Sequence, residues 1–115
     1  MSSNLKIETR TEPAATVIEL YGDLSADGED QVKEAYAAAV ASGRGAVLFD
    51  LSNTAYINTS GISVLIAVAM EAKKTGVTVL VAGASPHYKK VFDLVRFSSF
   101  VSMFDDQDAA LASLG

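Results

Sequence analysis

The sequence contains no cysteine, no tryptophan and a single histidine. Without cysteine the chain can form neither disulfide bonds nor thiolate metal sites, and nothing about secretion follows from a cysteine pattern. A metal site would have to rely on carboxylates, and the run DDQD at residues 105–108 is explained more simply as the acidic first turn of a helix. We therefore expect no bound metal and no cofactor.

The sequence also lacks the common phosphate-binding loops, GxGxxG and GxxxxGK[ST]. The lone histidine, His87, directly follows Pro86 at a predicted helix start, and the segment TSGIS is not the G-x-S-x-G elbow of a hydrolase. We predict that the chain has no catalytic residues and is not an enzyme. A small nucleotide- or ligand-binding domain is a poor alternative for the same reason.

Long apolar runs are missing although half of the residues are hydrophobic and the mean hydropathy is +0.26. No stretch reaches the roughly 18 uninterrupted apolar residues that suggest a membrane span, and the start MSSNLKIETRTEP does not resemble a signal peptide. The net charge of −5 argues against nucleic acid as a partner, because binding phosphates requires a basic face. We expect one cytoplasmic domain, residues 1–115, without a membrane span.

Strand-like and helix-like patterns alternate along the chain. Strands are predicted in LKIETR, at residues 16–24, 46–51 and 77–83, and in FVSMF; helices are predicted at residues 25–42 and 61–74, from Ser85 with Pro86 as its first residue, and from DDQD onward. The order β, β, α, β, α, β, α, β, α predicts an α/β fold with a parallel or mixed sheet. In such sheets functional groups collect beyond the carboxyl ends of the strands, and residues 57–61 form one of these joints.

That joint, INTSG, places Asn58, Thr59 and Ser60 between a buried strand and an apolar helix. One interpretation is helix capping by the Ser60 or Thr59 hydroxyl, which would accept from a free N–H group of the first turn. The other is a phosphorylation site, because the N-terminus of a helix favours a phosphate group. The two roles are compatible, and these residues alone favour capping.

The segment around the joint, VLFDLSNTAYINTSGISVLIAV, resembles the STAS domain family, specifically the bacterial anti-sigma factor antagonists. Members of that family share an apolar strand, the letters DLS, a short D-[ST]-S-G motif and an apolar helix. The segments SPHYKKVFDLVRF and GDLS are also similar to family features. The resemblance implies a single STAS-like domain with a mixed central β-sheet and helices packed mainly on one side.

The resemblance also implies a switch that works by binding. Such a domain, when unmodified, binds an ATP-dependent anti-sigma factor that is also a serine kinase, and this releases a sigma factor. The kinase then phosphorylates the serine before the glycine, Ser60 here, with Thr59 as the alternative, and a PP2C-like phosphatase reverses the step. The implied state is a monomer or a weak dimer. The implied contact residues are Asp23, Leu24, Ser25, Asn58, Thr59, Ser60, Gly61 and Ile62.

Gly61 fits that role if the missing side chain lets the partner's active site approach. Two positions depart from the family pattern: Asn58 replaces the acid of the D-[ST]-S-G motif, and Ser25 replaces the acid that ends the G-E-L-D turn. These changes predict weaker recognition by the usual type of kinase, or a divergent partner. The alternative function is a STAS domain of a stress-sensing assembly, or the soluble accessory subunit of a lipid-transport ABC system.

Overall fold

The computed structural model describes residues 4–115, and its strands and helices follow the predicted order. Residues 1–3, which begin the segment assessed for a signal peptide, lie outside the described residues. Two short 3-10 turns occur, at Ala26–Gly28 and Phe97–Ser99. The strands and helices are β1 (Lys6–Thr11), β2 (Thr16–Tyr21), α1 (Glu29–Ala41), β3 (Ala46–Asn53), α2 (Thr59–Thr75), β4 (Thr78–Ala82), α3 (Pro86–Leu94), β5 (Ser102–Phe104) and α4 (Gln107–Ala112).

The five strands form one mixed sheet in the order β1-β2-β3-β4-β5. β1 pairs with β2 in the antiparallel sense, and the other three pairs are parallel. Parallel neighbours need a crossover connection, and α1, α2 and α3 supply one each. The predicted α/β class and mixed sheet are confirmed. Because β2, β3 and β4 run in the same direction, their carboxyl ends lie at one edge of the sheet.

The two faces of the sheet are covered unequally. Ile18, Phe49 and Val81, partners in neighbouring strands, point into the large core that also contains residues of α1, α2 and α3. Side chains alternate along a strand, so Val17 and Leu48 point to the opposite face, where they pack with Ala110 of α4. Helices therefore pack mainly on one side, as predicted.

A polar network joins α4 to the sheet. The side-chain N–H2 group of Gln107 donates to the carboxylate of Glu19 at 2.7 Å and to the carboxylate of Asp50. Glu19 and Asp50 are paired positions on β2 and β3. The side-chain carbonyl oxygen of Gln107 accepts from Arg10. Asp50 is only 6% exposed, and its second oxygen accepts from the N–H and hydroxyl of Ser52. Both oxygens of this buried carboxylate are thus hydrogen-bonded, as a buried charge requires.

Candidate functional site: the joint between β3 and α2

The joint between β3 and α2 is tied to the turn after β2 by the backbone. Leu24 forms a parallel bridge with Ile57. The Leu24 N–H donates to the Tyr56 carbonyl at 2.9 Å, and the Leu24 carbonyl accepts from the Asn58 N–H at 3.2 Å. The two segments that the sequence predicted as contact regions, residues 23–25 and 58–62, therefore lie side by side at the carboxyl edge of the sheet.

Asn58 is the N-cap of α2, and its side-chain oxygen accepts from the Gly61 N–H at 2.8 Å. Its backbone oxygen accepts from the Ile62 N–H at 3.0 Å, which closes the first helical turn. The prediction that Thr59 or Ser60 caps the helix was wrong, and α2 begins at Thr59, two residues before the predicted start near Gly61. Asn is among the best N-cap residues, and here it frees both hydroxyl groups from that role.

Ser60 is therefore an exposed residue in the first turn of α2, with Thr59 exposed beside it. Within residues 4–115, no side chain or backbone group makes a hydrogen bond to the Ser60 hydroxyl. The backbone N–H groups of Thr59 and Ser60 likewise have no acceptor in this part of the chain. The structure thus presents a free hydroxyl at the positive end of a 17-residue helix.

Gly61 lies beneath this surface and contributes to packing. A Cβ atom built at Gly61 would lie 2.3 Å from the backbone oxygen of Leu24 and 3.0 Å from a methyl group of Ile57. The expectation that Gly61 makes room for a partner is corrected, since its missing side chain makes room for the Leu24 backbone. The Leu24 side chain is 0% exposed, so it supports the predicted contact surface from the core. Asp23 and Ser25 are half-buried, as are Asn58 and Ile62.

Sequence reasoning missed Tyr88, which fixes the joint from the neighbouring helix. Its phenol oxygen accepts from the Ile57 N–H at 2.8 Å, and the ring is buried. The predicted N-cap, Ser85, is confirmed: its hydroxyl accepts from the Tyr88 N–H at 3.3 Å, with Pro86 as the first residue of α3. The letters SPHY gave the helix start but no sign of this long-range hydrogen bond, which spans 31 positions.

The surface around Ser60 is a shallow groove of about 400 Å³ between the start of α1 and α2. Glu29 lines it and accepts from Lys33 at 2.6 Å, a contact that raises the pKa of Lys33. On the other side of the joint, Tyr56 is 56% exposed, which makes it a further contact candidate that the sequence did not single out.

The described residues contain no cluster of three or more His, Cys, Asp or Glu side chains arranged for a metal.

The family profile described as "Mlab, STAS domain" matches residues 7–102. The chain belongs to the STAS domain family. A Bordetella bronchiseptica protein assigned as an anti-sigma factor antagonist, BtrV, is 27% identical over 94 residues, which cover 82% of this chain and 81% of BtrV. In the part of the chain that the structure describes, no helix is both long and apolar enough to cross a membrane.

Solved STAS structures share the fold at low sequence identity. An anti-sigma factor antagonist from Mycobacterium paratuberculosis superposes with a TM-score of 0.83 at 18% identity, covering 99% of this chain and 98% of that chain. The Bacillus cell fate determinant SpoIIAA in its phosphorylated form gives a TM-score of 0.72 at 17% identity, covering 96% and 99%. The STAS fold itself is thereby confirmed.

Proposed function

We propose that the chain is an anti-sigma factor antagonist whose binding is controlled by phosphorylation of Ser60. In its unmodified form it binds an anti-sigma factor that is also an ATP-dependent serine kinase, and a sigma factor is released. The observation that carries the proposal is the Ser60 hydroxyl, which is exposed in the first turn of α2 while Asn58 caps the helix. The similarity to BtrV supports the same partner class.

The geometry explains how a phosphate would change binding and spare the fold. A phosphorylated serine carries about −1.5 to −2 charges at neutral pH. At Ser60 this charge would lie at the positive end of α2, beside the backbone N–H groups of Thr59 and Ser60. The Asn58 cap would remain in place, because it does not involve the modified oxygen.

Binding of the partner, unlike the fold, would be weakened by phosphorylation of Ser60. A partner that packs against the small neutral hydroxyl of Ser60 would have to desolvate nearly two charges after modification. Removing an unpaired charge from water typically costs several kcal/mol. Phosphorylation would therefore release the partner, and a PP2C-like phosphatase would restore binding. In this scheme the chain acts in the bacterial cytoplasm, as a monomer or weak dimer, without catalysis of its own.

Asn58 gives this switch a neutral neighbour. Where related motifs carry an acid at this position, a phosphate added to the serine would lie two residues from a like charge; here it would lie two residues from an uncharged amide. A kinase that recognises an acid two residues before its target serine would modify this chain more slowly. We therefore propose a partner whose kinase site accepts Asn58.

Incubation with the candidate anti-sigma kinase and ATP, followed by mass spectrometry, tests the proposal. We expect the wild type to gain the mass of one phosphoryl group and Ser60→Ala to gain none. Ser63→Ala is the matched control, because Ser63 is also an exposed serine of α2, and it should be modified like the wild type. Phosphorylation of Ser60→Ala, or a stable complex with a transport ATPase and no modification, would count against it.

A further inference from the structure

The groove beside Ser60 continues along the whole length of α1 and α2. A second cavity of about 580 Å³ adjoins the first and shares Ala67 with it. We call the two together the α1–α2 groove; on the α2 side it extends from Ser60 to Thr75. At about 1.5 Å per helical residue this distance is roughly 22 Å.

The groove exists because small side chains occupy the facing positions of the two helices. Ala37 on α1 and Ala67 on α2 form part of its walls, and Val40 and Val68 add apolar surface. Ala38, by contrast, is exposed but does not line the groove. A groove about 22 Å long with apolar walls suits an elongated apolar element.

A buried hydroxyl without an acceptor lies among these residues. Tyr36 is 7% exposed, and its phenol oxygen has no hydrogen-bond partner among the described residues. The neighbouring Thr75 hydroxyl donates to the Glu71 carbonyl at 3.1 Å. Burial and, to a smaller extent, the Glu71 carboxylate raise the pKa of Tyr36, with Thr75 acting against them, so the phenol remains a neutral donor at physiological pH. An unpaired buried donor is unfavourable for stability, and the Tyr36 hydroxyl lies too deep to contact an occupant of the groove.

The charges at the groove favour a positively charged occupant. Lys33 is already paired with Glu29, whereas Glu71 has no ion pair within residues 4–115. Asp30 and Glu34 on the outer side of α1 are also exposed and without an ion pair in this region. A basic side chain seated beside Glu71 would therefore meet one carboxylate in the groove that has no ion pair among residues 4–115.

We infer that the α1–α2 groove is the docking site for an amphipathic helix of a protein partner, with an apolar stripe against Ala37 and Ala67 and a basic residue beside Glu71. Four helical turns span about 22 Å, the length of the groove. Recognition of an apolar helical stripe by a groove is a common mode of binding. The inference rests on the proposed function in one respect: the groove opens at Ser60, so the same partner would meet both.

A model peptide tests this surface without the kinase. The probe is a 16-residue synthetic helix with leucine along one face and lysine elsewhere, and one control has the same composition without helical periodicity. A third peptide carries glutamate in place of lysine. In NMR titrations of the full unphosphorylated chain, we expect the lysine helix to shift the amide signals of Ala37, Ala67 and Glu71, and to bind at least about tenfold more tightly than either control.

Substitutions within the groove complete the test. Ala37→Trp should fill the groove and weaken the lysine helix by about tenfold or more, whereas Ala38→Trp, outside it, should bind like the wild type. Ala67→Gln is a second substitution inside the groove and should also weaken binding of the lysine helix. Thermal melts of Ala37→Trp, Ala38→Trp and Ala67→Gln establish that the three variants are folded. Equal binding by Ala37→Trp and Ala38→Trp, or equal binding of the periodic and non-periodic peptides, would overturn the inference. So would tighter binding of a small amphiphile such as decanoate at the same residues.

The outcome is independent of the switch at Ser60. Ser60→Ala should bind the lysine helix as the wild type does, because Ser60 lies at one end of the groove. If the helix binds in the groove but the kinase neither binds nor modifies the chain, the proposed function fails and the groove inference stands. If the kinase modifies Ser60 and Ala37→Trp still binds it normally, the groove inference fails and the proposed function stands.

Discussion

The backbone oxygen of Leu24 lies 2.3 Å from the point where a Cβ atom on Gly61 would be. Real Cβ atoms do not approach an oxygen so closely, so only glycine allows α2 to begin this near the turn after β2. The contact joins two segments that are 37 positions apart (61 minus 24). It positions the first turn of α2, which carries Ser60, against the turn after β2.

Gly61→Ala should destabilise the protein, because a backbone atom cannot move aside as a flexible side chain can. Overpacking of this kind typically costs about 1–3 kcal/mol. Urea denaturation of the variant measures the loss. Ser63→Ala is the control on an exposed position of the same helix, where a change within about 0.5 kcal/mol is expected. An unchanged midpoint for Gly61→Ala would show that the two segments are not in close contact.

Asn58→Ala should lower the free energy of unfolding by about 0.5–2 kcal/mol, because the Gly61 N–H loses its acceptor. Asn58→Asp should retain the cap, since a carboxylate accepts the same hydrogen bond, and should change the rate of Ser60 phosphorylation more than the affinity of the unmodified protein. Denaturation curves and initial rates of phosphate incorporation separate the two effects. Equal loss of stability in both variants would contradict the assignment of Asn58 as the cap.

The substitutions Tyr88→Phe and Tyr36→Phe should have different effects on the stability of the fold. Tyr88→Phe removes the acceptor of the buried Ile57 N–H and should cost about 1–3 kcal/mol. Tyr36→Phe removes a buried hydroxyl that has no partner among residues 4–115, so it should leave the melting temperature unchanged or raise it. Calorimetry of the two variants in one buffer makes the comparison. A larger loss for Tyr36→Phe than for Tyr88→Phe would contradict both assignments.

The carboxyl group of Asp105 should titrate below its ordinary range. The hydrogen bond from Lys89, at 2.8 Å, and its positive charge lower the pKa of Asp105. A carboxyl group with a lowered pKa stabilises the fold above its unfolded-state pKa of about 3.9, and this contribution is lost as the pH falls through the folded-state value. An NMR titration should show the pKa of Asp105 rising in Lys89→Met. Lys90→Met is the control, because Lys90 makes no ion pair with a described residue; an equal rise there would contradict the pairing.

The sequence predicted the fold well because its patterns are local. Hydrophobic periodicity and the SP start of α3 are properties of neighbouring residues, and they gave the order of elements and the N-cap at Ser85. Polar residues at the joint also indicated a site at the carboxyl edge of the sheet.

The roles within the joint depend on contacts between distant segments, and these could not be predicted. Gly61 owes its role to the Leu24 backbone, and Ile57 is held by Tyr88. The choice of cap was open because three adjacent residues, Asn58 to Ser60, all carry a suitable oxygen. Only the backbone path decides which oxygen faces the Gly61 N–H.

The central claim concerns Ser60, and one comparison tests it most directly: isothermal titration of the wild type, Ser60→Ala and Ser60→Asp against the anti-sigma kinase, with thermal melts of each. Ser60→Ala should bind as tightly as the unmodified wild type, because the hydroxyl is not a cap. Ser60→Asp should remain folded and bind about a hundredfold or more weakly, since about 1.4 kcal/mol corresponds to a factor of ten. Equal affinity of the two variants, or a collapsed melt for Ser60→Asp, would contradict the switch.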